Sequence, residues 1–147
     1  MDDLNLGWLL FSFQGRINRA KYWLAILIFF IIGIVVAIVG FVSGRNLGFQ
    51  IFHIVVQIVF FISGLAVGAK RLHDHEKSAW WLLLFNFAPA VFIVSGILIA
   101  MSSGSWGAMG VFGLAAFAIV IWSFVLLGCL RGTVGPNDYG PDPVPTA

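Results

Sequence analysis

Long apolar runs, broken by short polar interruptions, set the pattern of this chain. Tyr22 to Val42, Phe49 to Ala69, Trp80 to Ala100 and Trp106 to Leu130 contain no Asp, Glu, Lys or Arg. An α-helix rises about 1.5 Å per residue, so about 20 apolar residues cross the ~30 Å hydrocarbon layer of a bilayer. All four runs are long enough to do so. Between them lie "SGRNLG" (Ser43 to Gly48), "KRLHDHEKSAWW" (Lys70 to Trp81) and "MSSGSWG" (Met101 to Gly107). Glycine, serine and asparagine tolerate the backbone geometry of turns, so these interruptions separate helices. The apolar runs are continuous rather than alternating, which excludes a membrane β-barrel.

The pattern predicts an all-α membrane protein whose four transmembrane helices form an up-down-up-down bundle over residues of about 22-42, 49-69, 80-100 and 106-130. A single membrane domain then covers 1-147, with 1-21 cytoplasmic or interfacial and 131-147 a cytoplasmic tail. Leu4 to Phe13 is apolar but too short to span. It reads as a short interfacial helix with Trp8 at the headgroup level and Gly15 marking its end. A signal peptide has its positive charges before the apolar core. Here Asp2 and Asp3 come first and Arg16, Arg19 and Lys21 follow.

Composition agrees with the pattern. The chain is 61% apolar and 10% charged, against about 25% charged in a soluble domain. Cys129 is the one cysteine, so no intramolecular disulfide can form. Where the few charges fall matters more than their sum. Arg16, Arg19, Lys21, Lys70, Arg71, Lys77 and Arg131 flank one set of helix ends, and Arg45 stands alone at the other. The positive-inside rule therefore predicts a multi-pass membrane protein with both termini and the Lys70 to Trp81 loop in the cytoplasm. Tyr22, Trp23, Trp80, Trp81 and Trp106 stand where spans begin, as interfacial anchors do.

Three charged segments carry a resemblance. "FQGRINRAKYW" (Phe13 to Trp23), "KRLHDHEKSAWW" and "GTVGPNDYGPDP" (Gly132 to Pro143) resemble, in order and spacing, the signatures of the DUF805 family, small bacterial inner-membrane proteins of uncharacterised function. The matching positions are Phe13, Gly15, Arg16, Arg19, Tyr22 and Trp23; then Arg71, Leu72, His73, Asp74, Lys77, Ser78, Trp80 and Trp81; then Gly132, Gly135, Asn137, Tyr139, Gly140 and Pro143. Lys70 stands where the family has an arginine, Glu76 where a glycine or other turn residue is common, and Ala79 where it has a glycine. The resemblance implies a fold and a location, and no activity.

All three signatures fall on the predicted cytoplasmic face. Arg16, Arg19 and Trp23 recur at helical spacing and are expected to share a helix face, and Asp74 can pair with Arg71 and Lys77 if the second helix continues past Ala69. The tail's Gly, Pro and Asn predict a turn-rich segment folding back under the bundle. Arg16, Arg19, Arg71, His73, Asp74, Lys77, Asn137 and Tyr139 thus form a cytoplasmic collar, the candidate site for anionic lipid headgroups or a partner protein. Each basic residue near an anionic surface is worth about 1 kcal/mol. The bland reading is that these cations obey the positive-inside rule and neutralise Asp74, Glu76, Asp138 and Asp142.

Other chemistries are less complete. His73, Asp74, His75 and Glu76 are consecutive potential metal ligands, but adjacent side chains on a helix diverge, and no metal or other cofactor is expected. Asp74 could orient His73 for acid/base work, yet no nucleophile or oxyanion arrangement accompanies them, so no catalytic residue is assigned and a non-enzymatic module is expected. His53, Gln57 and Asn86 are polar positions within the spans. Such residues suggest a transporter or channel subunit, the alternative reading, or they hydrogen-bond between helices. Gly40 with Gly44, Gly64 with Gly68, and Gly33 with Ala37 have the small-x-x-x-small spacing that permits close helix contact within one chain or in a homo-oligomer. Gly107, Gly110 and Gly113 are expected to admit a close neighbour at the start of the fourth span. Nothing suggests a nucleic-acid partner.

Overall fold

The computed structural model describes residues 5-44 and 46-144. Asp2, Asp3, Leu4 and Arg45, which entered the reading of the N-terminus and of topology, lie outside the described residues. The elements are α1 (Leu6–Phe11), α2 (Arg19–Val42), α3 (Leu47–His73), α4 (Trp81–Ser103) and α5 (Gly107–Phe124), the last continuing into a π-helical turn, Val125–Cys129. Among the described residues there is no strand beyond an isolated bridge between Asn137 and Gly140. Four helices are long and apolar enough to cross a membrane, as the pattern predicts.

Asparagine opens the first three helices. The side chains of Asn5, Asn18 and Asn46 accept the backbone N–H of Trp8, Lys21 and Phe49, each at 2.9 Å. Each bond satisfies one of the N–H groups that a helix start leaves without a partner. The helix boundaries shift accordingly. α2 begins at Arg19, so Arg16 lies in the extended segment before it and shares no helix face with Arg19 and Trp23. α3 runs past Ala69 to His73 and carries Lys70, Arg71 and His73 in its last turn, where positive charge complements the helix dipole. α1 closes at Ser12 rather than at Gly15. Gly15 makes the turn beyond it at φ +91°, where a Cβ would meet the Trp8 ring at 2.9 Å.

The spans form two hairpins. α4 and α5 pack closely, with Gly96 letting Phe112 and Met109 approach to 3.0 and 3.3 Å of where its Cβ would be. α2 and α3 meet through Phe29 and Phe60, ring centroids 5.3 Å apart, and through Gly40 against the Phe49 ring. Gly68 similarly admits Leu82 of α4. Gly40 and Gly68 thus make close contacts within the chain. By contrast a Cβ on Gly33, Gly44, Gly64, Gly110 or Gly113 would meet nothing, so the glycine-rich start of α5 admits no close neighbour from this chain.

The two hairpins join at their charged ends, where the π turn packs on α2 and α3, and α4 meets α3. Ala69, Leu72, Leu82, Phe85, Leu126 and Leu127 form one apolar core there; Leu9, Ile17, Ala25 and Val67 form a second beneath α1. Farther along, α2 touches neither α4 nor the regular part of α5 through its backbone.

The link from α3 to α4 turns on one residue. Lys77 N–H bonds Leu72 O at 3.0 Å and Glu76 N–H bonds His73 O at 3.1 Å, the pair that closes a Schellman turn. Glu76 accordingly has φ +55°, the left-handed region that favours glycine. The glycine common at this position in the resembled family thus has a backbone reason. A Glu76→Gly variant is expected to raise Tm in detergent, by a stability gain of roughly 1 kcal/mol. A lowered Tm would show that the glutamate side chain makes a compensating contribution.

Candidate functional site

The charges predicted to form a surface collar are largely inside the protein. Lys70 and Arg71 are fully buried, Asp74 is 2% exposed and Arg16 6%. Buried charges are costly unless paired and hydrogen-bonded. Here they are both. One oxygen of the Asp74 carboxylate accepts Arg16 Nε at 3.1 Å and Nη2 at 3.0 Å, and the other accepts Arg71 Nη1. The expected Arg71 pairing is formed. Lys77 instead places its ammonium 4.9 Å from the Trp81 ring centre, and the ion pairs among the described residues are those of Asp74 with Arg16 and Arg71.

Each guanidinium spends its other N–H groups on main-chain carbonyls. Arg16 Nη1 donates to Gly135 O at 2.8 Å and Gly140 O at 3.3 Å, and Nη2 to Thr133 O at 2.7 Å. Arg71 Nε donates to Leu127 O at 2.8 Å and Nη2 to Leu130 O. Two further bonds complete a series: Trp23 Nε1 reaches Gly128 O at 2.9 Å and Arg19 Nη1 reaches Cys129 O at 3.4 Å. The carbonyls of Leu127, Gly128, Cys129 and Leu130 end the last span, where a helix leaves acceptors without backbone partners. Side chains from α2 and α3 supply all four donors. The π turn, closed by Leu130 N–H on Val125 O at 3.0 Å, is what presents these carbonyls.

The tail does fold back, and it closes on Asp74. The Asp74 main-chain carbonyl accepts Thr133 N–H at 2.8 Å and Thr133 Oγ1 at 3.1 Å. Asn137 Nδ2 donates to His73 O at 2.9 Å and to Thr133 Oγ1 at 3.1 Å, while Asn137 Oδ1 takes Tyr139 N–H at 2.9 Å. Tyr139 then lies flat on the His73 ring, centroids 4.0 Å apart at 4°. Gly132 passes so near Asp74 that an added Cβ would clash with the carboxylate and come within 2.6 Å of the main-chain oxygen.

His73 faces Gly15 O through Nδ1 at 3.2 Å, so Nδ1 carries the proton and Asp74 does not orient the ring. That removes the His73–Asp74 pairing considered for acid/base work. His75 points elsewhere again; its Nε2 is buried without a hydrogen bond of ordinary geometry. Burial first, then the Arg71 charge and that of Lys77, lower its pKa, opposed by Asp74 and the Leu126 carbonyl. Consecutive residues from His73 to Glu76 thus have separate surroundings, and no group of three metal-ligand side chains occurs among the described residues.

Sequence reasoning assigned no role to Thr133 or to the four carbonyls, and treated Lys70 as one more surface cation. Lys70 Nζ donates to Trp8 O and Leu9 O, both at 2.6 Å, and lies 4.5 Å from the Trp8 ring centre, fastening α1 to α3. The intramembrane polar residues do not bridge helices, one of the two readings open for them. Gln57 bonds His53 at 3.2 Å on the same helix, and Asn86 Nδ2 donates to Leu82 O at 2.8 Å one turn back. His53 lines a groove between α2 and α3 and Asn86 a separate crevice, so the structure does not bring them together.

The described geometry joins all three signature segments in one network, and the family comparison covers the same stretch. The family described as "Protein of unknown function (DUF805)" matches residues 10–141. The chain belongs to the DUF805 family. Among DUF805-like proteins of Escherichia coli K12, inner membrane protein YhaH is 29% identical over 134 residues, covering 90% of this chain and 87% of the relative. The uncharacterized protein YiiR is 32% identical over 139 residues (90% and 86%), and inner membrane protein YhaI 29% over 132 residues (90% and 86%). No solved structure matches the chain. With its four apolar helices this DUF805 member is a multi-pass inner membrane protein.

Removing the charge that Arg16 and Arg71 share should unfold the charged end. Asp74→Asn leaves two buried guanidiniums without a counter-charge, a loss of about 3–5 kcal/mol for a buried pair. Gly132→Ala, which adds one methyl group against Asp74, should give the same loss of Tm and of detergent-stable protein. Variants that purify with wild-type Tm would show that the network contributes little.

Proposed function

We propose that this DUF805 protein is a non-enzymatic inner-membrane module whose charged end lies in the cytoplasm and binds anionic lipid headgroups. One observation carries the reading. Once Arg16, Lys70 and Arg71 are committed to internal partners, Arg19 and Arg131 remain exposed, and both line a pocket of about 140 Å³ where the spans end. Lys21 and Lys77 are half-buried at the same end. Among the described residues no carboxylate lies within ion-pair distance of these four cations. Asn18 and Thr133 add polar atoms to the pocket wall. Asp142 and the arginine-paired Asp74 are also in the wall; Asp142 accepts the N–H groups of Val144 and Gly135 at 2.9 Å, one on each oxygen, bonds that lower its pKa.

Guanidinium forks suit phosphate oxygens, and a site at the level of the headgroups meets phosphate in every lipid. Expected selectivity for anionic over zwitterionic lipid follows from the ~1 kcal/mol that each basic residue contributes near such a surface. The double variant Arg19→Gln, Arg131→Gln should therefore reduce the ratio of phosphatidylglycerol to phosphatidylcholine retained by the purified protein, by roughly fivefold for each arginine. An unchanged ratio would overturn the reading.

Orientation has its own check. In a Cys129→Ala background, Asp138→Cys is expected to react with a membrane-impermeant maleimide in inside-out vesicles and not in intact spheroplasts. Labelling in spheroplasts would place the site on the other face.

A further inference from the structure

The charged end is closed, but immediately below it the two hairpins part. The gap is a crevice of about 270 Å³, walled by Tyr22, Ile26 and Phe29 of α2, Phe60 and Gly64 of α3, and Asn86 of α4, among others. Its narrow top is plugged where Leu82 packs into Gly68. One turn lower, a Cβ on Gly64 would meet nothing within 4 Å. The side chains of the wall are hydrocarbon except for the Tyr22 hydroxyl and the Asn86 amide. In a bilayer such a space is filled by whatever apolar chain can enter it.

The crevice and the pocket above it lie along one face of α2. Arg19, Tyr22, Ile26 and Phe29 are spaced three, four and three residues apart, so they make one stripe along α2. Arg19 at the top of the stripe lines the basic pocket, and the other three line the crevice. Leu127 belongs to the crevice while its carbonyl holds Arg71, which lines the pocket. A cationic niche at the level where spans end, and an apolar slot directly beneath it on the same helix face, match the two halves of one molecule.

We propose that pocket and crevice form a single site for one phospholipid, its phosphate against Arg19 and Arg131 and one acyl chain lying between the hairpins against Gly64. The placement of the phosphate rests on the headgroup reading above; the chain's seat rests on the crevice. A lipid held in this way would be retained through purification, unlike the lipids that exchange around the outside of the spans. It would also complete the contact between the hairpins that the polypeptide leaves open.

The test uses delipidated full-length protein in detergent, titrated with phosphatidylglycerol and followed by native mass spectrometry. Wild type is expected to bind one lipid tightly, and Gly64→Phe, whose Cβ has free space within 4 Å and whose ring would occupy the slot, to bind it at least tenfold more weakly. Gly64→Phe binding as tightly as wild type overturns the proposal, and so does a dimer in wild type that Gly64→Phe dissolves, because a second copy's helix would then be the occupant. A second measurement does not depend on that variant. Phe60→Trp, titrated with phosphatidylglycerol brominated along its chains, should lose fluorescence at one equivalent; no quenching at one equivalent overturns the proposal. If Arg19→Gln with Arg131→Gln leaves binding and selectivity intact while Gly64→Phe abolishes binding, the headgroup assignment falls and the acyl seat stands. Glycerol phosphate, which carries the anion without a chain, is expected not to compete; competition at equal concentration would locate the affinity in the pocket alone and overturn the two-part site.

Discussion

A membrane helix that ends must leave its last carbonyls somewhere. In water they are hydrated at little cost, but near hydrocarbon each one left bare costs several kcal/mol. The fourth span of this protein ends in such a place, with its final π turn packed against two other helices. The donors that satisfy it come from Trp23 and Arg19 on the first span and from Arg71 on the second. Using an arginine for this purpose brings a charge into a dry interior, and that charge needs a carboxylate. Asp74 follows from Arg71, and Arg16 lets one carboxylate hold two chain segments at once. The network is thus a chain of consequences that starts with backbone acceptors.

This ordering separates structural charge from available charge. Of the cations that cluster at one end, those with the most burial are the ones with the most internal bonds. Arg16, Lys70 and Arg71 act as scaffolding, while Arg19 and Arg131 stay at the rim of a pocket. A count of basic residues treats these two groups alike. Their difference in solvent contact decides which of them an outside anion can reach.

Much of the architecture is legible in the sequence because the membrane imposes it. Four charge-free runs, each of spanning length, admit few other folds, and the turn residues between them mark the breaks. The helix ends were harder to place for a reason visible at Lys70 and Arg71. Charge ordinarily stops a span, but here the charges face inward onto carbonyls, so the helix runs through them to His73. Arg16 was misplaced onto a helix because periodic spacing looks the same in a helix and in an extended segment that happens to share it. The role of Glu76 was half visible, since a glycine-favoured position hints at φ above zero. Of the partners of Arg71, only Asp74 was visible. Three of its bonds end on main-chain oxygens, and a backbone carbonyl has no letter in a sequence.

The tail's place in the network bears on how the protein is made. Thr133, Gly135 and Gly140 supply contacts to Arg16 and Asp74, yet they leave the ribosome after all four spans. Arg16 is synthesised more than a hundred residues before its carbonyl partners. During that interval the early helices are inserted with a guanidinium still short of acceptors, and the hairpins have only their apolar contacts to hold them. Assembly therefore finishes from the C-terminal side, and a ribosome that stalls before the tail leaves an inserted but unclosed protein, the kind of substrate that membrane quality-control proteases take.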